Sequence, residues 1–301
     1  MNNVIEIKKL TKDYGSGRGI FDIDLDIARG EMVGFAGTNG SGKTTTIRHI
    51  MGFIQPTKGA ACVNGLEAWQ HSSEYVREIG YVPGEIAFPD LSTGTIFLKS
   101  QADFLNLKDL SYAQELIEHL QLDPGALLRR MSKGMKQKTA IVAALMADPA
   151  IIILDEPTTG LAPLMRDAFL EIIRAEHEKG KTIFMSSHMF EELETTCDRV
   201  ALISNGRLVS IADMEKIRHP ETRDYKIEFN DGTDYEKFKT LGFEIVRDQP
   251  KYQQVTVSLS GDRLNDLFLT LKGMDVRFVS EVKYNLEKYF HEKLGREEED
   301  E

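Results

Sequence analysis

Two short stretches of this 301-residue chain combine residue types able to act on a phosphate chain. The first, GTNGSGKTT from Gly37 to Thr45, fits the spacing G-x-x-x-x-G-K-[ST] with Gly37, Gly42, Lys43 and Thr44. Glycines at those positions let backbone N–H groups converge on phosphate oxygens. Thr38, Asn39, Gly40, Ser41 and Thr45 complete the loop, with Asn39 placed to reach a phosphate. Lys43 brings positive charge to the β and γ phosphates, and the Thr44 hydroxyl is expected to ligate Mg²⁺. The second stretch, IIILDE from Ile151 to Glu156, closes an apolar run with two acids. Asp155 there can hold Mg²⁺ through water, and Glu156 can polarise an attacking water. The pair describes hydrolysis of a nucleoside triphosphate.

A third stretch raises a question. Ser132-Lys133-Gly134 reads as the opening of a helix, and a helix N-terminus with a small hydroxyl residue and a glycine is suited to an anion. One chain would then carry two phosphate-binding helix ends.

These groups need elements to position them. Glu31–Gly37 reads as a buried strand running into the glycine turn. A helix follows, with Ile47, Ile50 and Met51 at helical spacing, and stops at Gly52. Ala150–Leu154 is a continuous apolar run, as a central parallel strand requires. Arg166–Lys179 is predicted helical and Thr182–Ser186 another buried strand, while residues near 95 to 120 carry a helical period. Val4–Ile7 and Phe21–Ile27 alternate as half-wet strands, with Phe21, Ile23, Leu25 and Ile27 on one face. Strands alternating with helices point to a parallel α/β sheet. Beyond Pro220 the pattern changes to β-α-β-β-α-β, with strands at Tyr225–Phe229, Phe243–Arg247, Gln254–Leu259 and Asp275–Ser280. Helices at Asp234–Leu241 and Asp262–Lys272 separate them, the ferredoxin-like order, and a last helix spans about Asn285–Leu294. The boundary is expected near His219-Pro220, and no internal repeat is visible.

With the phosphate loop, the acidic strand and MSKGM (Met131–Met135) in that order, residues 4 to 217 resemble the ATP-binding subunits of ABC transporters. The family's signature reads L-S-G-G-Q; Ser132 and Gly134 match it, Lys133 and Met135 depart, and the run SKGMKQ resembles exporters of the ABC-2 type. The resemblance implies a P-loop cassette with a mixed sheet core and a helical subdomain at about 85–148. It also implies a head-to-tail pair of cassettes, so that each chain's two phosphate-binding ends serve different ATP molecules. That answers the question raised by Ser132. Tyr14, before the glycine-rich turn, would stack on adenine, and His188 in SSHMFEELE would contact the γ-phosphate beside Glu156. Two positions depart from the family. GYVPGE puts Gly84 where a Gln is usual, leaving either Glu85 or backbone alone to serve metal and water. GLAP puts Ala162 where an acid is usual, which removes a cross-subunit contact.

The expected whole is therefore an ATP- and Mg²⁺-dependent cassette, residues 1–219, plus a small α+β ferredoxin-like accessory or dimer-contact domain, residues 220–301. The implied function is an ATPase powering a separate integral-membrane permease for drug, antibiotic, lipid or peptide efflux, as a homodimer or with a second cassette. The alternative is a soluble ABC ATPase acting on a macromolecular complex. A single cassette without a coiled-coil insertion weighs against the ribosomal and DNA-repair types. The net charge of −11 weighs against a nucleic-acid partner. Cys62 and Cys197 lie in no metal-ligand pattern and are expected to be buried free thiols. No signal peptide or span of roughly 20 apolar residues is found, so the expected location is the cytoplasmic face of the membrane. The tail Glu297–Glu301 reads as a solvated, disordered end.

Overall fold

The computed structural model describes residues 3–260 and 263–300. The chain divides into two compact units, Met1–Asp213 and Met214–Glu301.

In the first unit, β1 (Asn3–Asp13) and β2 (Gly19–Ala28) pair antiparallel. The alternation read in β2 slips at one end: Asp22 takes a left-handed backbone (φ 51), so Ile20 is buried and Phe21 only half-buried. This is the local twist that a bulge introduces. β3 (Met32–Ala36) is buried throughout and leads through the glycine loop into α1 (Lys43–Ile50). β4 (Lys58–Val63), β5 (Leu66–Glu67), α2 (Ala68–Tyr75) and β6 (Ile79–Val82) follow. The helical stretch read near 95 to 120 is two helices, α3 (Gly94–Phe104) and α4 (Ser111–His119). Asn106 breaks them with φ 57, and Asp109 accepts a hydrogen bond from the Ser111 N–H to start the second. Then come α5 (Lys133–Leu145), β7 (Ile151–Asp155) and α6 (Pro163–Glu178). β8 (Thr182–Ser187), α7 (Phe190–Thr196), β9 (Arg199–Ser204) and β10 (Arg207–Asp213) complete the unit.

These strands make an antiparallel sheet in the order β2-β1-β4-β5 and a second sheet in the order β10-β9-β3-β8-β7-β6. The second sheet is parallel except at β10, which runs antiparallel to β9, so the sheet core is mixed. One apolar core joins the two, with Ile5, Ile7, Ile23 and Leu25 from the first sheet, Phe35, Ile153 and Phe184 from the second, and Ile47 and Ile50 of α1. Burial on this scale, at about 25 cal/mol per Å² of apolar area, is what holds the central strands rigid. It matters because the carboxyl ends of β3, β7 and β8 all open on one side, where ligands bind in open parallel sheets.

The second unit contains α8 (Met214–Arg218), β11 (Thr222–Phe229), α9 (Gly232–Lys239), β12 (Glu244–Gln249), β13 (Gln254–Ser260), α10 (Leu264–Leu271) and β14 (Val276–Val282). Its sheet is antiparallel in the order β12-β13-β11-β14. Tyr225, Ile227, Val255 and Val257 face Phe238 and Leu267 of the two helices, and Phe238 stacks on Phe243 with centroids 5.2 Å apart. The final helix α11 (Leu286–Asp300) runs beyond Leu294 through Glu297–Asp300 of the tail read as a disordered end, and Glu301 lies outside the described residues. Glu, Lys and Arg are good helix formers, which favours that extension. Cys62 and Cys197 are both free; Cys197 is buried, but Cys62 is only half-buried.

Candidate active site

The loop between β3 and α1 turns on Gly42, whose φ of 114° at the N-cap is open only to glycine without strain. Lys43, only 4% exposed, donates from Nζ to the carbonyls of Gly37 at 2.7 Å and Thr38 at 3.0 Å. The same Nζ lies 3.2 Å from Glu156 Oε1.

Asp155 ends β7 fully buried. The Ser186 hydroxyl, at the end of β8, donates to its Oδ1 at 2.7 Å. Its Oδ2 is buried with no hydrogen-bond partner among the described residues. A buried, unpaired carboxylate oxygen is costly, and its retention points to a group that completes it. Gly84 covers this atom: a Cβ there would come to 3.0 Å from Oδ2. Glu85 beside it is exposed and makes no ion pair or hydrogen bond among the described residues. A hydroxyl such as that of Thr44 and a carboxylate oxygen are the donor chemistry of a hard divalent cation.

Glu156 follows in a left-handed conformation (φ 49), its N–H donating to the Ser186 carbonyl and hydroxyl at 3.2 and 3.0 Å. That strained backbone, held from β8, turns the side chain away from the strand. Its Oε2 lies 3.2 Å from His188 Nδ1 and accepts a longer bond, 3.3 Å, from the Thr159 hydroxyl. Burial by itself would raise the Glu156 carboxyl, but the charges and hydrogen bonds of Lys43 and His188 outweigh it and hold it below the usual glutamate range. It is therefore ionised at neutral pH.

A cavity of about 490 Å³ is lined by Tyr14, Asn39, Gly40, Gly42, Lys43, Thr44, Thr45 and Glu156. Six of these, the loop positions, follow from motif spacing and Tyr14 from the family resemblance, and the cavity brings them together. Tyr14 is 51% exposed, with Lys12 Nζ 5.7 Å from its ring centre. Arg18 and Asn205 also line the cavity and carry no motif that announces them. Gly37 and Thr38 supply carbonyls to Lys43, and Ser41 is buried with a hydroxyl that has no partner among the described residues. His188 is 46% exposed beside Glu156.

Ser132 and Gly134 are not in that lining. Ser132 caps α5 by accepting a hydrogen bond from the Met135 N–H at 3.2 Å. Gly134 sits against the turn after β7, where a Cβ would meet the Gly160 carbonyl at 2.7 Å. The two phosphate-type helix ends of the chain are thus separate. Ser186 and Thr159 were missed by sequence reasoning, since hydroxyls at strand ends and in turns have no distinctive spacing.

Known proteins give this geometry a context. A family model described as ABC transporter matches residues 20–159. The bacitracin transport ATP-binding protein BcrA of Bacillus licheniformis is 30% identical over 98% of both chains. The linearmycin resistance ATP-binding protein LnrL of Bacillus subtilis is 32% identical over 69% of this chain and 68% of its own length. A solved structure of the ATP-binding subunit of an ABC transporter shares 32% identity and superposes with a TM-score of 0.64, covering 71% of this chain and 92% of that one.

Proposed function

This chain belongs to the ABC transporter family as an ATP-binding, ATP-hydrolysing subunit, and from that premise we propose that it drives a membrane exporter through an ATP-sandwiched pair of cassettes. The observation that carries the pairing is that Ser132 and Gly134 stand apart from the cavity lined by Gly40, Lys43 and Glu156. A second copy, turned head to tail, would bring its α5 N-terminus to the γ-phosphate held by the first, where the helix dipole favours the negative charge.

The roles follow from the contacts. The loop from Gly37 to Thr45 holds the phosphates with its amides, and Lys43 exchanges its contact with Glu156 for the β and γ oxygens. Tyr14 offers an exposed ring to the adenine. The Thr44 hydroxyl and the unpaired Oδ2 of Asp155 would hold Mg²⁺. Held there, Mg²⁺ would supply positive charge to offset the negative charge that develops on the phosphates. Glu156, kept ionised, orients and polarises the attacking water, and His188 steadies both that carboxylate and the transferring phosphate.

The permease would dock on a groove of about 520 Å³ lined by Tyr81, Pro83, Ile86, Phe97, Phe104 and Ala144, adjoining Gly84 and Glu85. No helix among the described residues is long and apolar enough to cross a membrane, which suits a subunit held at the cytoplasmic face by its partner. The near full-length similarity to a bacitracin transport protein supports a drug-, antibiotic-, lipid- or peptide-like cargo. We read residues 1–219 as the cassette, about 85–148 as its helical subdomain, and 220–301 as a ferredoxin-like accessory or dimer-contact domain, on the strength of its strand order.

The test uses Glu156→Gln, purified with Mg-ATP from native membranes. Hydrolysis is expected to fall about 10²- to 10⁴-fold, as for loss of a general base, with a stable dimer and a stoichiometric multi-span membrane protein recovered. Recovery only with a soluble complex would replace the exporter with the macromolecular ATPase.

A further inference from the structure

One buried carboxylate ties together the two loops that carry Glu156 and His188. Glu192, on α7, is 3% exposed. Its Oε2 accepts from the Thr158 hydroxyl at 3.0 Å and from the Ser187 hydroxyl at 2.9 Å. Thr158 lies two residues after Glu156, in the turn leaving β7. Ser187 lies immediately before His188, at the end of β8, and its hydroxyl also accepts from the Met189 N–H at 3.0 Å. Ser187 therefore fastens the chain on both sides of His188. The other oxygen of Glu192, Oε1, faces Arg166 Nε of α6 at 3.3 Å, an ion pair without hydrogen-bond alignment.

Both hydroxyls spend their proton on the same oxygen, so that oxygen has to be a pure acceptor. We propose that Glu192 is a positioning residue for hydrolysis, holding Glu156 and His188 in register so that Nδ1 stays within reach of Oε2. Glu192 is not in the lining of the cavity that holds Lys43 and Glu156; it acts through Thr158 and Ser187. Arg166 lies in the first turn of α6, the helix that follows the Gly160–Ala162 turn, so the same carboxylate also links the hydrolytic pair to the turn against which Gly134 packs. An amide in its place would turn its N–H donors either toward Arg166 or toward the two hydroxyls, all of which are themselves donors. This inference rests on the reading of Glu156 and His188 as the groups that serve the attacking water.

The experiment measures kcat and KM for Mg-ATP in the full chain with its membrane partner, for Glu192→Gln, Thr158→Val, Ser187→Ala and the Thr158→Val/Ser187→Ala pair. Expected are a kcat lower by about 10- to 100-fold in Glu192→Gln with KM changed less than about threefold, since misplacement of reacting groups costs rate rather than ground-state binding. The single hydroxyl variants, which keep the carboxylate paired to Arg166 and serve if Glu192→Gln fails to fold, are expected to lower kcat with effects that do not add in the pair. Full kcat in Glu192→Gln, or additive hydroxyl effects raising KM and leaving kcat unchanged, overturns the proposal. Glu156→Gln is run alongside: if it hydrolyses at the parent rate, the reading of the site fails and takes the inference with it. If it is inactive while the Glu192 variants are normal, only the inference falls.

Discussion

At the scale of single residues, the decisive balance is at Glu156. Burial pushes its carboxyl up, and Lys43 and His188 pull it down further than burial pushes. A carboxylate whose folded pKa is depressed contributes stability that is fully present above the unfolded value, near about 4.3, and lost as pH falls through the folded one. The difference in thermal stability between the parent and Glu156→Gln is thus expected to be constant from about pH 7 to about pH 5 and to shrink below about pH 4. Calorimetry across that range checks it, and a difference that widens in acid would contradict it. Lys43, Thr44, Asp155 and Glu156 were legible because a phosphate site demands a fixed spacing or a strand end, and His188 through the family resemblance of SSHMFEELE. Glu192, Thr158 and Ser187 were not, because their roles come from three segments meeting, which no local pattern records.

At the scale of elements, two substitutions at helix starts show what packing asks of the sequence. α6 opens at Ala162, which offers no side-chain cap, followed by Pro163 at the first helical position. An Ala cap costs about 0.5–2 kcal/mol against Asp or Ser, and Pro at this position offsets part of it by presetting φ. The departure from the usual acid therefore affects the helix start as well as the expected contact across a dimer. α5 opens at Ser132 with Gly134 pressed on the Gly160 carbonyl, and backbone cannot give way there as a side-chain tip can. Gly134→Ala is expected to displace the start of α5, weakening ATP-dependent dimerisation by about tenfold or more. Nucleotide binding by the single chain, which uses the other helix end, should stay near normal. Analytical ultracentrifugation and nucleotide titration separate the two effects; unchanged dimerisation would remove α5 from the pairing surface. The helical period near 95 to 120 was visible in the sequence, but its interruption at Asn106 rests on a left-handed turn that periodicity does not encode.

At the scale of the whole molecule, ATP hydrolysis has to reach a partner. The groove beside Pro83 and Ile86 lies next to Gly84, which touches Asp155, so the covering of the metal-type oxygen and the apolar groove share one short loop. Glu85 is exposed and outside the ion pairs of the described residues, which makes Glu85→Lys a change of surface charge that spares the site. Transport in vesicles holding the assembled complex is expected to drop several-fold while ATPase activity stays within about twofold, as for a surface contact that changes partner engagement rather than chemistry. Normal transport by this variant would place the docking surface elsewhere. The chemistry and the order of elements could be read along the chain, because phosphate loops, acidic strand ends and apolar runs are local and carry their own spacing. That Gly84 covers Asp155, that Ser186 steers both acids, that Glu192 joins two loops and that Ser132 stands apart from the cavity emerged with the packing of the fold. Those facts depend on which strands lie side by side, and strand neighbours are chosen by long-range burial of apolar faces rather than by residues adjacent in the chain.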